Sequence, residues 1–194
     1  ALDVGQGLAV VLQTSRHALV YDTGPAWNPD ADSGNRIVVP YLRGEGMRRL
    51  DGLIVSHEDE DHSGGAISIL DARSPHWLLS SLPKDSEILG HAAQSQRCEA
   101  GQSWDWDGVR FSILHPTQVS YAIDNVRTND RGCVLKVEST GGSVLIAADI
   151  EKRSEAELLR RDRENLRSDV LLVPHHGSKT SSTADFIAAV APKI

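Results

Sequence analysis

Ten residues, Ser56–Gly65, read SHEDEDHSGG and constrain the fold of this chain more than any other stretch. They place two histidines, four carboxylates and two glycines directly after the apolar run Gly52–Val55. A short run of β-forming residues that stops at such a charged cluster reads as a strand ending outside the core. The following Gly65–Asp71 opens on small residues and reads as a helix. The cluster therefore belongs to a strand-to-helix loop, where binding groups are commonly displayed. Charged runs are usually solvated faces, and a chain with 27 Asp and Glu against 20 Lys and Arg has several. Position at a strand end is what sets this one apart.

The rest of the chain sets limits. Its 194 residues, 40% hydrophobic, suffice for one ordinary domain with a real core, so residues 1–194 are expected to form one α/β domain. No apolar stretch reaches the ~18–20 residues of a membrane span. The first residues, Ala1-Leu2-Asp3, carry neither methionine nor a signal-peptide pattern, and Pro192-Lys193-Ile194 follow a helix-like segment. The chain reads as a fragment of a longer protein whose flanks hold any membrane segments. Cys98 and Cys133 are too few for a disulfide framework or a cysteine-rich zinc site, and buried, inert thiols are expected. A formal net charge of −7 excludes a broad basic surface for nonspecific nucleic-acid binding, although a local patch or bound metal overrides the total.

Hydrophobic patterning predicts an opening hairpin from strands Leu2–Leu12 and Ala18–Tyr21, then a helix over Ile37–Met47 and strands at Gly52–Val55 and His76–Leu79. Lys84–Asp107, polar apart from Trp104 and Trp106, shows no usable period. Strands are predicted again at Val109–Leu114, Cys133–Val137 and Ser143–Ala147, the last two joined by a turn at Ser139–Gly142. A charged amphipathic helix Glu151–Arg161, a strand Asp169–Val173 and a helix Thr183–Val190 complete the chain. Hairpins followed by βα units in both halves suggest two packed sheets with helices outside.

Polar groups recur where apolar strands stop. Asp22 ends the second strand, and His57, Asp59, Asp61 and His62 follow Gly52–Val55. Asp149 follows Ser143–Ala148, and His175 and His176 follow Asp169–Val173. Strand ends of this kind commonly line one edge of an α/β domain, so convergence on one site is the economical reading. A single strand-end Asp is more often a turn former or cap; the set together favours metal chemistry. His57-x-Asp59-x-Asp61-His62 allows one tight loop to feed two neighbouring ions, with Asp149 as the bridging carboxylate.

The segments DVGQG, YDTG, SHEDEDHSGG, NDRGCVL, AADIE and VPHHGSKTSS resemble the metallo-β-lactamase fold superfamily, and within it the soluble lactamase-like domain of the ComEC family of bacterial DNA-uptake channels. The resemblance covers nearly the whole chain, and HEDEDH with HHGSKTSS is its specific part. It implies a four-layer αββα sandwich. It implies that His57 and Asp59 face a first metal, Asp61 and His62 a second, that Asp149 bridges, and that Asp22 orients the loop from behind. The superfamily's strand–x–His–Gly pattern matches His176, which is expected to be a ligand. His175 is then an outer or substrate-facing histidine, on the expectation that Pro174 holds an extended backbone sending the two rings to opposite sides. Ser178, Lys179, Thr180 and Ser181, before the last helix, are expected to receive a phosphate.

Two departures stand out. Asp59 occupies the place of the superfamily's second histidine, and no third metal histidine lies between Asp61 and Asp149, since His76, His91 and His115 are off-pattern. Asn129 falls near that missing position and offers an amide oxygen or holds water. With Asp61 and His175 it completes the candidate catalytic groups. A set richer in oxygen is harder, which moves the expected pair of divalent ions from Zn²⁺ toward Mn²⁺ or Mg²⁺. Three ligand carboxylates against two divalent ions leave about one positive unit, matched to a phosphodiester. The resemblance thus implies a DNA phosphodiesterase on single-stranded DNA, joined to the membrane-channel part of its own polypeptide in the bacterial inner membrane, on the periplasmic or outer side. Hydrolysis of another ester (a lactone, thioester or phosphorylcholine ester) and a catalytically weak DNA-guiding module remain the alternatives, because a fold does not fix a substrate.

Overall fold

The computed structural model describes residues 1–194, which divide into two compact units, Ala1–Arg97 and Cys98–Ile194. In the first unit, β1 (Val10–Gln13) and β2 (Ala18–Tyr21) form the expected antiparallel hairpin. A small second hairpin follows, β3 (Ala26–Asn28) with β4 (Ala31–Asp32). A π-helical turn, Gly34–Val38, leads into α1 (Val39–Gly44), then β5 (Gly52–Val55), α2 (Glu60–Ser63) and α3 (Ala66–Arg73). β6 (Trp77–Ser80), α4 (Glu87–Gly90) and β7 (Ser95–Arg97) complete the unit.

The first sheet has the order β1-β2-β5-β6-β7, with β2, β5, β6 and β7 parallel. Every residue of β2 and β5 is buried, which suits parallel strands covered on both faces and explains their unbroken apolar runs. Gly52 opens β5 because any Cβ there would collide with the Trp77 ring of β6. Val20, Leu53 and Val55 share one core with Leu42, Ile69 and Leu78. Each such aliphatic side chain contributes about 1.5–3 kcal/mol through burial. Because β2 and β5 are neighbours and parallel, Asp22 and the Ser56–His62 loop leave the sheet at the same edge.

The second unit begins with β8 (Ser103–Trp106) and β9 (Val109–His115), followed by β10 (Val134–Ser139) and β11 (Gly142–Ile146). α5 (Lys152–Asp162), β12 (Val170–Leu172) and α6 (Ala184–Val190) come after them. The sheet order is β12-β11-β10-β9-β8, antiparallel except for the β11–β12 pair. Leu158 of α5 and Phe186 and Val190 of α6 pack into one core with Val134, Leu145 and Leu171 of the strands. The parallel pairing of β11 with β12 brings Asp149 and the His175–His176 pair off the same edge of this second sheet.

Four expectations need correction. The first strand spans only Val10–Gln13, because the glycines of Asp3–Gly7 take left-handed turns; Gly5 and Gly7 have φ of 77° and 142°. A Cβ on Gly7 would overlap the Asp61 carbonyl, so this turn packs directly on the charged loop. The helix expected over Ile37–Met47 ends at Gly44 and begins earlier as the π-helical turn. Lys84–Asp107 is not irregular throughout. It contains α4, the fully exposed edge strand β7, and β8, whose Trp104 stacks on Phe111 of β9 with ring centroids 5.2 Å apart.

The cysteines are the fourth correction. Cys98 and Cys133, 35 residues apart and fully buried, form a disulfide instead of two free thiols. The bond ties the segment that enters β8 to the residue that opens β10. Closing a loop of this length restricts the unfolded chain, so the double substitution Cys98→Ser, Cys133→Ser is expected to lower the unfolding free energy by about 4 kcal/mol. Denaturant titration of the parent in the presence of reductant should give the same loss. Identical midpoints for oxidised, reduced and substituted chains would show that the bond contributes nothing.

Candidate metal centre

In the first unit the loop after β5 is organised from below by Asp22. This residue is fully buried and adopts a left-handed backbone (φ 54°), a conformation Asp tolerates better than most residues. Its carboxylate accepts from the Ser56 backbone N–H at 2.6 Å, from Ser56 Oγ at 2.7 Å and from His62 Nδ1 at 2.7 Å. Three short bonds, to one amide, one hydroxyl and one imidazole, satisfy a charge that burial alone would penalise.

Proton placement then follows. The Ser56 hydroxyl proton goes to Asp22, so the 2.9 Å contact between Ser56 Oγ and His57 Nδ1 is a bond donated by the ring. That leaves His57 Nε2 as an unprotonated acceptor, buried and without any hydrogen-bond partner. It points at another acceptor, Asp59 Oδ2, 3.6 Å away. The same logic applies to His62. Its Nδ1–H is given to Asp22, and its Nε2 lone pair lies 3.9 Å from Asp61 Oδ2. Two imidazole lone pairs, each facing a carboxylate oxygen beyond hydrogen-bond reach, are an arrangement that a cation between them satisfies. The residues present therefore fit a divalent metal, with carboxylate-oriented histidine ligands.

The loop backbone is held as firmly as its side chains. The Thr23 hydroxyl donates to the His62 carbonyl at 2.8 Å and accepts from Gly65 N–H at 3.1 Å. Leu8 N–H donates to the Asp61 carbonyl at 3.1 Å. Gly65 lacks a side chain because a Cβ would run into Gly34 and the Thr23 carbonyl.

In the second unit Ala148 takes a left-handed conformation (φ 51°) that turns Asp149 away from β11, and its carbonyl accepts from His175 N–H at 3.1 Å. Pro174–Gly177 is a tight turn, with both His175 and His176 left-handed at φ 51°. The extended backbone expected around Pro174 is therefore absent, and the rings do not diverge to opposite sides. Both Nε2 atoms face Asp149 Oδ2, that of His176 at 3.4 Å and that of His175 at 3.9 Å. His175 Nδ1 is engaged elsewhere, 3.1 Å from Thr180 Oγ1 and 3.5 Å from Glu151 Oε1.

A buried carboxylate sets this loop too. Glu155 of α5, fully buried, accepts from the N–H groups of Ser182 at 2.5 Å and Thr183 at 2.9 Å. These two backbone donors ahead of the last helix are thus engaged by Glu155. Ser181 is buried, and its hydroxyl donates to the Pro174 carbonyl at 2.9 Å. Ser178 and Thr180 pair through their hydroxyls at 3.1 Å, and Lys179 is exposed. Asn129 begins a 3-10 turn, and its amide oxygen accepts from Thr128 Oγ1 at 3.1 Å.

The off-pattern histidines stay off-pattern. His76 is exposed, His91 bonds Asp71 at 2.8 Å, and His115 is buried against the Asp130 carbonyl at 2.9 Å, where burial pushes its pKa down. Sequence reasoning missed Ser56, Thr23, Glu151 and Glu155. Ser56 alone carried a signal, since it stands between the strand and the first histidine.

The metallo-beta-lactamase superfamily model matches residues 2–194. The uncharacterized protein YcaI of Escherichia coli (strain K12) is 39% identical over 193 residues, covering 100% of this chain and 24% of that protein. Competence protein ComA of Neisseria gonorrhoeae is 36% identical over 192 residues, 98% of this chain and 25% of its own length. The chain thus spans about a quarter of the curated relatives it matches. Among solved structures, a HARLDQ-motif mutant of a metallo-beta-lactamase from Cronobacter sakazakii superposes with a TM-score of 0.60 at 17% identity, over 98% of this chain and 88% of that one. That likeness shows a shared fold.

Asp22 holds both the loop and the His62 tautomer, so Asp22→Ala is expected to weaken divalent-metal affinity by about 10–100-fold, as removal of a ligand-orienting carboxylate typically does. Calorimetric titration of the metal-stripped chain with Mn²⁺ measures it. Unchanged affinity would mean that the His62–Asp22 bond has no part in metal binding.

Proposed function

Because this chain belongs to the metallo-β-lactamase superfamily, we propose that it is a metal-dependent hydrolase acting on the phosphodiester bonds of DNA, as the lactamase-like part of a DNA-uptake protein. The observation that carries the metal half of the reading is the buried, partnerless Nε2 of His57 aimed at Asp59. His62 against Asp61 and His176 against Asp149 likewise bring an imidazole nitrogen to a carboxylate oxygen. The DNA half is supported by the relatives, one of which bears the name of a competence protein.

On this reading His57, Asp59, Asp61, His62, Asp149 and His176 hold two divalent ions, which when bound supply Lewis acidity and an activated water. Asp22 keeps His62 in the tautomer that presents Nε2, and Ser56 does the same for His57. His175, tethered by Thr180, faces the substrate and moves a proton near the leaving oxygen. Asp61 and Asn129 hold the attacking water in place. Three carboxylates among six ligands make a hard set, which favours Mn²⁺ over Zn²⁺. No helix of the chain is long and apolar enough to cross a membrane. The Cys98–Cys133 bond supports a place on the oxidising, periplasmic side of the inner membrane, since disulfides persist in such compartments.

Incubating the chain with single-stranded DNA and a panel of divalent ions tests the reading, with Mn²⁺ expected to support faster hydrolysis than Zn²⁺. Asp149→Ala is expected to reduce that activity by roughly a hundredfold or more while circular dichroism stays unchanged, because the side chain lies beyond the end of β11. An active, fully metal-loaded variant would remove Asp149 from the site and the two-ion reading with it.

The two histidines should separate. His176→Ala is expected to lower metal content, whereas His175→Ala keeps the metals and slows turnover by roughly 10²-fold, the usual scale of a lost proton-transfer group. Metal content per chain, measured on both variants, decides. Loss of metal in His175→Ala alone would exchange their roles.

A further inference from the structure

Beside Asp149 the second unit carries a charged pair that the hydrolytic reading leaves unused. Glu151, 13% exposed, directs its two oxygens at different partners. Oε2 accepts from Arg127 Nη1 at 3.2 Å, and Oε1 lies 3.5 Å from His175 Nδ1. Arg127 itself is 73% exposed, so most of its guanidinium faces solvent. The segment that presents it is anchored close by, where Arg131 Nη2 donates to the carbonyl of Ile123 at 2.9 Å and to that of Ser120 at 3.3 Å.

The arginine side of this pair lies largely in solvent, where an ion pair contributes little to stability. The pair links the guanidinium, through one carboxylate, to His175. Arginine presents a planar set of N–H donors that matches phosphate oxygens, and one edge held by a carboxylate leaves another for a ligand. Arg127 reaches His175 only through Glu151. Arg127 and His175 thus sit on the two oxygens of one carboxylate.

We propose that Arg127 binds a backbone phosphate adjacent to the scissile one, with Glu151 holding the guanidinium and His175 in register. The site thereby selects a polynucleotide strand over an isolated phosphodiester or a carboxylic ester. Arg127 is a positioning residue in this role, and the proposal rests on the phosphodiesterase reading above.

The test uses a fluorescein-labelled oligothymidylate with the Mn²⁺-loaded chain, measuring affinity by anisotropy and turnover over a series of salt concentrations. Arg127→Ala is expected to raise KM and Kd roughly tenfold, the order of one charge-assisted hydrogen bond, with a smaller change in kcat. The slope of log affinity against log salt should fall by about 0.7, the value for one phosphate contact on a single strand. Arg127→Lys, which keeps the charge but loses the fork, should restore the slope and only part of the affinity. Glu151→Gln should raise KM as Arg127→Ala does and also lower kcat, because it releases both partners. A parent that cleaves, with Arg127→Ala unchanged in KM, Kd and salt slope, overturns the assignment and leaves the hydrolytic reading standing. A parent that binds the oligonucleotide but cleaves it with no metal overturns the hydrolytic reading, and Arg127 is then judged by affinity and slope. A parent that neither binds nor cleaves overturns both.

Discussion

Much of the first unit depends on one buried carboxylate. Asp22 sits where β2 ends, beside the parallel strand β5, and its oxygens receive the first amide of the charged loop, the Ser56 hydroxyl and the His62 ring. An ionised group in that position is costly unless it is hydrogen-bonded, and its donors here come from the loop that follows the next strand. The requirement works in both directions. Asp22 stays buried because the loop closes over it, and the loop has one geometry because only one satisfies Asp22. The parallel register of β2 against β5 is what allows it, since an antiparallel partner would send the loop to the other end of the sheet.

The second unit solves a similar problem in a similar way. Its histidine loop follows a parallel strand pair, β11 with β12, and is fixed by the buried Glu155, which takes the two amides ahead of α6. In both units an apolar strand supplies the position and a buried acid supplies the conformation. The candidate ligands, His57 and His62 in one and Asp149, His175 and His176 in the other, are distinct from that acid. Rigid support beneath a reactive group is what keeps its geometry from relaxing around whatever it binds.

How much of this was legible in sequence follows from the range of the interactions involved. The runs Gly52–Val55 and Ala18–Tyr21 announced strands because parallel strands buried on both faces need continuous apolar residues. The strand-end positions of Asp22, Asp149 and the histidines followed directly from those strands. β8 had an alternating pattern, Ser103-Trp104-Asp105-Trp106, yet so short a run weighs little without its partner Phe111. The disulfide was not legible, because pairing depends on where two distant residues meet. Nor was the left-handed turn at His175 and His176, since neither residue announces positive φ and Pro174 suggested an extended backbone. Glu155 read as one more charge on an amphipathic helix, and only the position of Ser182 and Thr183 turns it into a loop anchor.

Charge is the remaining constraint on the proposed function. A chain with formal net charge −7 does not draw a polyanion by its overall field, so attraction has to be local and of short range. The proposed ions supply it at the scissile phosphate, and Arg127 at the next one. Screening limits the reach of either to about 8–10 Å at physiological salt. Under the proposed function, affinity for a strand therefore rests on those contacts and weakens as salt rises.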